Sequence, residues 1–222
     1  MSNRMAMIVV ACAGLLTACA TGQSADEDVL HADIAHVANV KSSFGSEFKV
    51  TSVGPTGIDP RLLGPQPLPQ GMTFDPADCG KAASQQVVPA GVKGNMAATT
   101  AEGDGNRFIA MAVETSEAVT REDPAQNCRK VGFTGPGVRG LVEVVDAPHI
   151  DGVHTLGMHR VVQTTVDGKP RTGELYNYTA SFGTFMVIVT ANPLVVPGKP
   201  VAPVNTQRAR DLLTAAVAAV KS

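Results

Sequence analysis

The sequence predicts an α+β fold, a mostly antiparallel sheet of about six or seven strands joined by hairpins and packed with N-terminal, middle and C-terminal helices. Three observations predict it. Strand-like segments follow one another through short turn signals rather than helical crossovers, which makes neighbouring strands antiparallel. Phe185 to Val189 is apolar at every position, the pattern of a strand covered on both faces. In the last segment Ala209, Leu212, Leu213, Ala216, Val217 and Val220 form one apolar stripe with Arg208, Arg210 and Lys221 off it, so a terminal helix lies on the sheet.

The elements follow in order. Met1 to Ala18 carries one positive charge at Arg4, an apolar run from Met5 to Leu16, and then small residues, which is the layout of an export signal. The run is shorter than the roughly 20 residues a membrane-spanning helix needs. Leu16-Thr17-Ala18-Cys19 is similar to a bacterial lipobox, and that resemblance implies cleavage before Cys19 and lipidation of its thiol; the alternative is an ordinary secretory signal cleaved near Ala20. The expected organisation is a signal peptide over 1–18, a lipidated tether over 19–25 and a single α+β domain over 26–222. The tether extends about 20 Å at most. The expected location is the extracytoplasmic face of the cell membrane, reached through the lipid anchor on Cys19.

Ser24 and Glu27 have capping-box spacing ahead of Leu30, Ile34 and Val37, which predicts a helix from about 26 to 41. Glu47 to Val53 reads as a strand. Gly54 to Gly71 holds five prolines and reads as a wrapped loop without helix. Asp75-Pro76 reads as the start of a second helix bearing Cys79 and ending before Pro89. Met96 to Ala101 and Arg107 to Glu114 flank Glu102 to Asn106, a hairpin turn. Asp123-Pro124 opens a short helix with Cys128. Strands then run over Arg139 to Ala147, Leu156 to Val166, Thr172 to Ser181 and Thr184 to Ala191. Asp167-Gly168 turns the second of these into the third, and Phe182-Gly183 separates the last two. Four prolines from Pro193 to Pro203 precede the terminal helix, capped by Asn205 or Thr206.

Composition narrows the function. Hydrophobic residues make up 44% and charged residues 17% of the 222, enough apolar material for a folded core. The formal charge is −2, and loss of Arg4 with the signal takes it to −3. With no basic patch, no tryptophan and two tyrosines, nucleic-acid binding is excluded as an expectation. Cys12 lies in the signal and Cys19 carries lipid, leaving Cys79 and Cys128 as a pair. In an oxidising compartment the pair reads as a disulfide closing a 48-residue loop, against two free thiols or half a metal site, for which CxxC spacing is missing.

Three stretches carry a family likeness: AEGDGNRFIAMAVETS, LVEVVDAPHIDGVHTLGMHRVVQTT, and GELYNYTASFGTFMVIVTANPLVVPGKPVAPVNTQRARDLL. They resemble a family of mycobacterial lipoproteins of unknown function, itself similar to the extracellular sensor domain of PknH-type receptor kinases. The likeness runs from about Val40 to the end. It implies an antiparallel α+β fold with a ligand cleft. The sensor domains carry two disulfides and tryptophans, and this chain departs from both features.

No catalytic residue, metal ligand or cofactor is expected. Gly135 to Gly140 matches GxGxxG, but a strand signal follows it where a dinucleotide fold needs a helix. His149, His154 and His159 recur every five residues, which suits neither one helix face nor one strand face. They read as loop and strand-edge residues, the alternative being a zinc site or a general base oriented by Asp146 or Asp151. Glu102 and Asp104 read as turn residues rather than calcium ligands. Asn177-Tyr178-Thr179 is a formal sequon inside a strand. Tyr176 and Tyr178 share one sheet face, as core under the last helix or as an open platform. Together with His159 they are the candidate ligand-binding residues.

The functional expectation is therefore a membrane-anchored, non-enzymatic binding or sensor-like module that holds an apolar or amphiphilic envelope molecule, or a protein partner, between sheet and helices. The alternatives are an envelope hydrolase or metalloenzyme using His149, His154 and His159, and a structural scaffold lipoprotein.

Overall fold

The computed structural model describes residues 31–84, 86–89, 91–119, 122–166 and 168–222. The signal, Cys19, the tether and the first residues of the expected N-terminal helix lie outside these, as does Asp167 of the expected hairpin turn. The strands are β1 (Lys49–Gly57), β2 (Thr73–Asp75), β3 (Gly94–Gly103), β4 (Asn106–Thr115), β5 (Lys130–Gly135), β6 (Val138–Val145), β7 (His154–Val166), β8 (Lys169–Phe182) and β9 (Phe185–Pro193). All nine belong to one antiparallel sheet in the order β1-β3-β4-β9-β8-β7-β6-β5-β2. The α+β class holds and the strand count exceeds the expected six or seven.

The two additional strands are short. β5 has only Val131 and Phe133 as an alternating apolar pair, between glycines, and the chain reverses at Pro136-Gly137 with Gly137 at φ +70° to start β6. Proline and a positive-φ glycine at the two central positions are turn chemistry, so the GxGxxG stretch is a hairpin. Gly140 lies opposite Phe133, and a methyl there would run into the Phe133 ring and the Val161 carbonyl. The ring fills the space that the missing side chain leaves.

β2 occupies the place where the second helix was expected to begin. A residue before proline is pushed toward extended backbone, so Asp75 ends an edge strand beside β5 instead of opening a helix. A 3₁₀ turn at Ala77–Cys79 and a helix at Gly80–Ser84 follow. The expected helix around Cys128 is a single 3₁₀ turn, Gln126–Cys128. Within the described part of the expected span the helix is Ile34–Ser43 and is 3₁₀; Asp33 caps it by accepting from the Ala35 N–H at 2.8 Å. β1 continues past Val53 through a bulge to Gly57.

Both faces of the sheet are covered over part of their width. On one face lie the Ile34–Ser43 helix and the C-terminal helix Thr206–Val220, whose Asn205 side chain accepts from the Arg208 N–H at 2.9 Å. Ile34, Val37 and Val40 from the first, and the apolar stripe of the second, bury against Phe108, Ala110, Ala112, Val187, Val189 and Tyr178. Alanines on β4 let the helices approach closely. On the other face Leu63, Val87 and Val88 from the wrapped segments cover Met96, Met111, Val113, Met186 and Ile188. β9 is buried from Phe185 to Ala191 because it stands fourth in the sheet and is covered on both sides.

Candidate functional site

Beyond the edge of the two helices, β5, β6, β7 and β8 present a polar ladder on the helix-bearing face. His159 on β7 stands opposite Glu143 on β6 and Tyr176 on β8. Its Nδ1 lies 2.9 Å from Glu143 Oε1 and its Nε2 lies 3.0 Å from Glu174 Oε1. The ring stacks on Tyr176 at 4.2 Å between centroids with 11° between planes. Lys130 on β5 extends the row, with Nζ 3.7 Å from Glu143 Oε2. Burial, and next the Glu174 carboxylate, push the Tyr176 hydroxyl above the ordinary phenol value. The imidazole is held by a partner at each nitrogen, an arrangement that fixes the ring and binds four strands together.

Tyr178 takes the core reading. It is fully buried beneath the C-terminal helix, over Gly157 of β7. Burial pushes its hydroxyl up, against the opposing charge of Arg210. Between sheet and C-terminal helix the space is filled by Tyr178, Leu212, Leu213 and Val217, so the expected ligand position between sheet and helices is occupied by side chains.

The three histidines are not brought together. His149 is exposed and faces Asp151 at 3.2 Å, while His154 faces Asp123 at 3.1 Å. His154 and His159 are five apart on one strand and point to opposite faces. Among the described residues, one trio of potential ligand atoms is close enough to hold a metal, Asp78 with Cys79 and Cys128. Those two cysteines form a disulfide with Cα atoms 5.3 Å apart, which removes both thiols from ligation.

A cavity of about 50 Å³ lies on the opposite face of the same strands, under the wrapped loop. Its floor is Val142, Leu156, Met158 and Leu175, and its roof comes from Pro65 to Leu68 and Ala82 to Ser84. The roof is pinned twice. The disulfide ties the Ala77–Cys79 turn to the Gln126–Cys128 turn, and Ala83 packs with Cys79, Val131 and Phe133. A relay of polar contacts holds the loop: Arg61 Nη2 donates to Asp59 Oδ2 at 2.7 Å, Gln66 Nε2 to the Arg61 carbonyl at 3.0 Å, and Arg160 Nη1 to the Gln66 carbonyl at 2.8 Å. The Arg61 guanidinium holds the Asp59 carboxyl below its ordinary value.

Two residues that line this cavity, Arg160 and Asn177, were not among the candidate ligand-binding residues of the sequence. Arg160 Nε and Asn177 Nδ2 are buried and make no hydrogen bond. Burial pulls the Arg160 guanidinium down from its ordinary value, and among the described residues no carboxylate pairs with it. Its other neighbour is the Phe133 ring, 5.9 Å from Cζ to centroid. A signal was present: on β7 the phase Leu156, Met158, Arg160, Val162 is apolar except for the arginine. A charge in the apolar phase of an alternating strand is buried or facing a cavity.

The chain is similar to one protein family and to two solved structures. A family model described as a domain of unknown function, DUF5642, matches residues 33–221. The X-ray structure of an uncharacterized protein from Mycobacterium smegmatis is 63% identical, covering 86% of this chain and 98% of that one, with a TM-score of 0.82. The crystal structure of the extracellular domain of PknH from Mycobacterium tuberculosis is 15% identical, covering 86% and 93%, with a TM-score of 0.36. No curated protein matches.

Proposed function

We propose that this chain, which belongs to the DUF5642 family, is a lipoprotein anchored through Cys19 at the extracytoplasmic face of the membrane and acting as a non-enzymatic binding module for an envelope ligand. The observation that carries the binding reading is the cavity between the wrapped loop and β6, β7 and β8, lined by apolar side chains together with Arg160 and Asn177, each of which carries a buried N–H donor without a partner. A few convergent polar groups on apolar walls are the composition of ligand sites. The ligand site therefore lies on the loop-covered face, not against the C-terminal helix. The His159 ladder belongs to the sheet's framework: each of its nitrogens is taken by a carboxylate.

Export rests on the signal layout, the lipobox-like Leu16 to Cys19, and a cysteine pair of the kind that oxidising compartments keep bridged. No helix among the described residues is long and apolar enough to cross a membrane. In this reading the lipid does the anchoring, two or three acyl chains sufficing for stable attachment.

Native mass spectrometry of the full-length protein, gently extracted from envelope membranes, tests the binding reading. A co-purifying small molecule of constant mass is the expected result, and repeated preparations free of any adduct would sink it. The anchor is tested separately by Cys19→Ala, which is expected to move the protein from the membrane to the soluble fraction; retention in the membrane would remove the lipid from the account.

A further inference from the structure

We infer that the cavity under the wrapped loop is a carboxylate site, in which Arg160 and Asn177 receive the head of a small organic acid or of an acyl chain. The inference rests on the binding-module reading and specifies its ligand class.

The argument begins with what burial costs. A guanidinium stays charged in proteins, so it cannot escape desolvation by losing its proton. Removing its water without supplying a counter-charge is costly unless hydrogen bonds or an anion replace the water. Arg160 has one replacement, the Gln66 carbonyl on Nη1, and a ring neighbour in Phe133. Its Nε is left with none. The Nε side of an arginine is one of the edges that meets two oxygens of a planar anion in parallel.

Asn177 supplies the second half. The residue is 5% exposed, and its Nδ2 lies beside Gly64 of the loop, 3.7 Å from where a Cβ on that glycine would stand. Met158 stands opposite Asn177 and Leu175 opposite Arg160, so the two donors are diagonal neighbours on one face of the β7-β8 pair. Such neighbours lie roughly 7–8 Å apart at the backbone, within the span that one carboxylate between two side chains can bridge. The unmet groups both donate, as a carboxylate requires. The apolar floor of Val142, Leu156 and Leu175 suits the hydrocarbon next to a carboxylate better than a fully hydrated inorganic ion. The volume, about 50 Å³, limits what is enclosed to a head group and little more. A longer chain would leave past the loop.

The test uses the full-length protein in mild detergent, with sodium butyrate as the probe, butanamide as its neutral counterpart and inorganic phosphate as the competing anion. Butyrate is expected to raise the melting temperature saturably, by about 5–10 °C at a hundredfold excess over Kd. Butanamide and phosphate are expected to leave it unchanged. Arg160→Met and Asn177→Leu are expected to abolish the rise. Because Arg160→Met also gives up the bond to the Gln66 carbonyl, both unliganded variants are first shown to be folded by far-UV circular dichroism and a cooperative melt, so that loss of the butyrate response is read on folded protein.

A rise caused equally by butanamide, a rise retained in both variants, or a response to phosphate in place of butyrate would each overturn the carboxylate assignment. No response to butyrate would overturn it too. In that case an adduct found by native mass spectrometry would keep the binding-module reading; conversely, a protein that binds butyrate but repeatedly purifies free of any adduct would keep this site and remove the envelope ligand.

Discussion

Opening the Cys79–Cys128 bridge has a consequence whose size can be worked out. The two residues are 49 apart in sequence, and the segment between them contains the whole β3-β4 hairpin. In the unfolded chain the bridge removes loop-closure entropy worth about 4 kcal/mol for a loop of this length. Cys79 is 1% exposed and packs with Ala83, Val131, Phe133 and Val142, so replacing it by alanine removes one buried atom and adds about 1 kcal/mol. Serine is tolerable at the less buried position 128. The double variant Cys79→Ala, Cys128→Ser should therefore lose about 4–5 kcal/mol, which for a chain of this size lowers Tm by about 8–20 °C. Far-UV circular dichroism across a thermal ramp measures it, with the parent in reductant as the control. Reductant should bring the parent to within about 2–4 °C above the variant's Tm, since the reduced parent keeps the buried Cys79 sulfur, and should leave the variant where it is. A double variant melting within about 3 °C of the parent would refute the reasoning, since neither unfolded-state entropy nor wall packing would then be acting.

Three further outcomes are expected. Tyr176 and Tyr178 are the two tyrosines of a chain without tryptophan, so phenolate absorbance reports on them alone. Both are raised above 10.0 by burial first, so the stability they contribute is fully present below pH 10 and is lost as pH rises through the raised values. A spectrophotometric titration should show both ionising above the free phenol and together with alkaline unfolding; two ordinary titrations in a folded chain would contradict it. Leu213→Ala, at a fully buried position of the C-terminal helix, should cost about 3–5 kcal/mol in urea unfolding, whereas Leu62→Ala, 58% exposed, should stay within about 0.5 kcal/mol. Equal effects at the two positions would argue against the packing described. Gly140→Ala should cost about 1–3 kcal/mol, because the added methyl meets the Phe133 ring and the Val161 carbonyl. An unchanged denaturation midpoint would show that β5 is not seated as described.

Much of the central sheet and the terminal helix was legible because local pattern and tertiary role agree there. An all-apolar run such as Phe185 to Val189 has only one comfortable place, inside. The stripe on Thr206–Val220 names its own buried face, and all six of its residues are buried. The paired hairpins announced themselves through Gly105 and Gly168, both at positive φ. β2 and β5 were not legible, since three and six residues with glycine or proline at their borders look like turns until a neighbouring strand pairs with them. The same holds for the first helix, whose start depends on Asp33 as a cap and on packing beneath the C-terminal helix rather than on its own periodicity.

The candidate site divides along the same line. From residue order alone, Tyr176 and Tyr178 could be placed on one face of a strand and His159 on another strand, Cys79 could be paired with Cys128, and Arg160 interrupts an apolar phase. Alternation assigns each side chain to one of two faces, but it says nothing of what covers each face. That was decided when the proline-rich segment folded across β6, β7 and β8 on one side while the helices stopped short of His159 on the other. Desolvation follows from the cover, not from the strand, so the same alternation leaves His159 satisfied between two carboxylates and the Arg160 Nε buried without a partner.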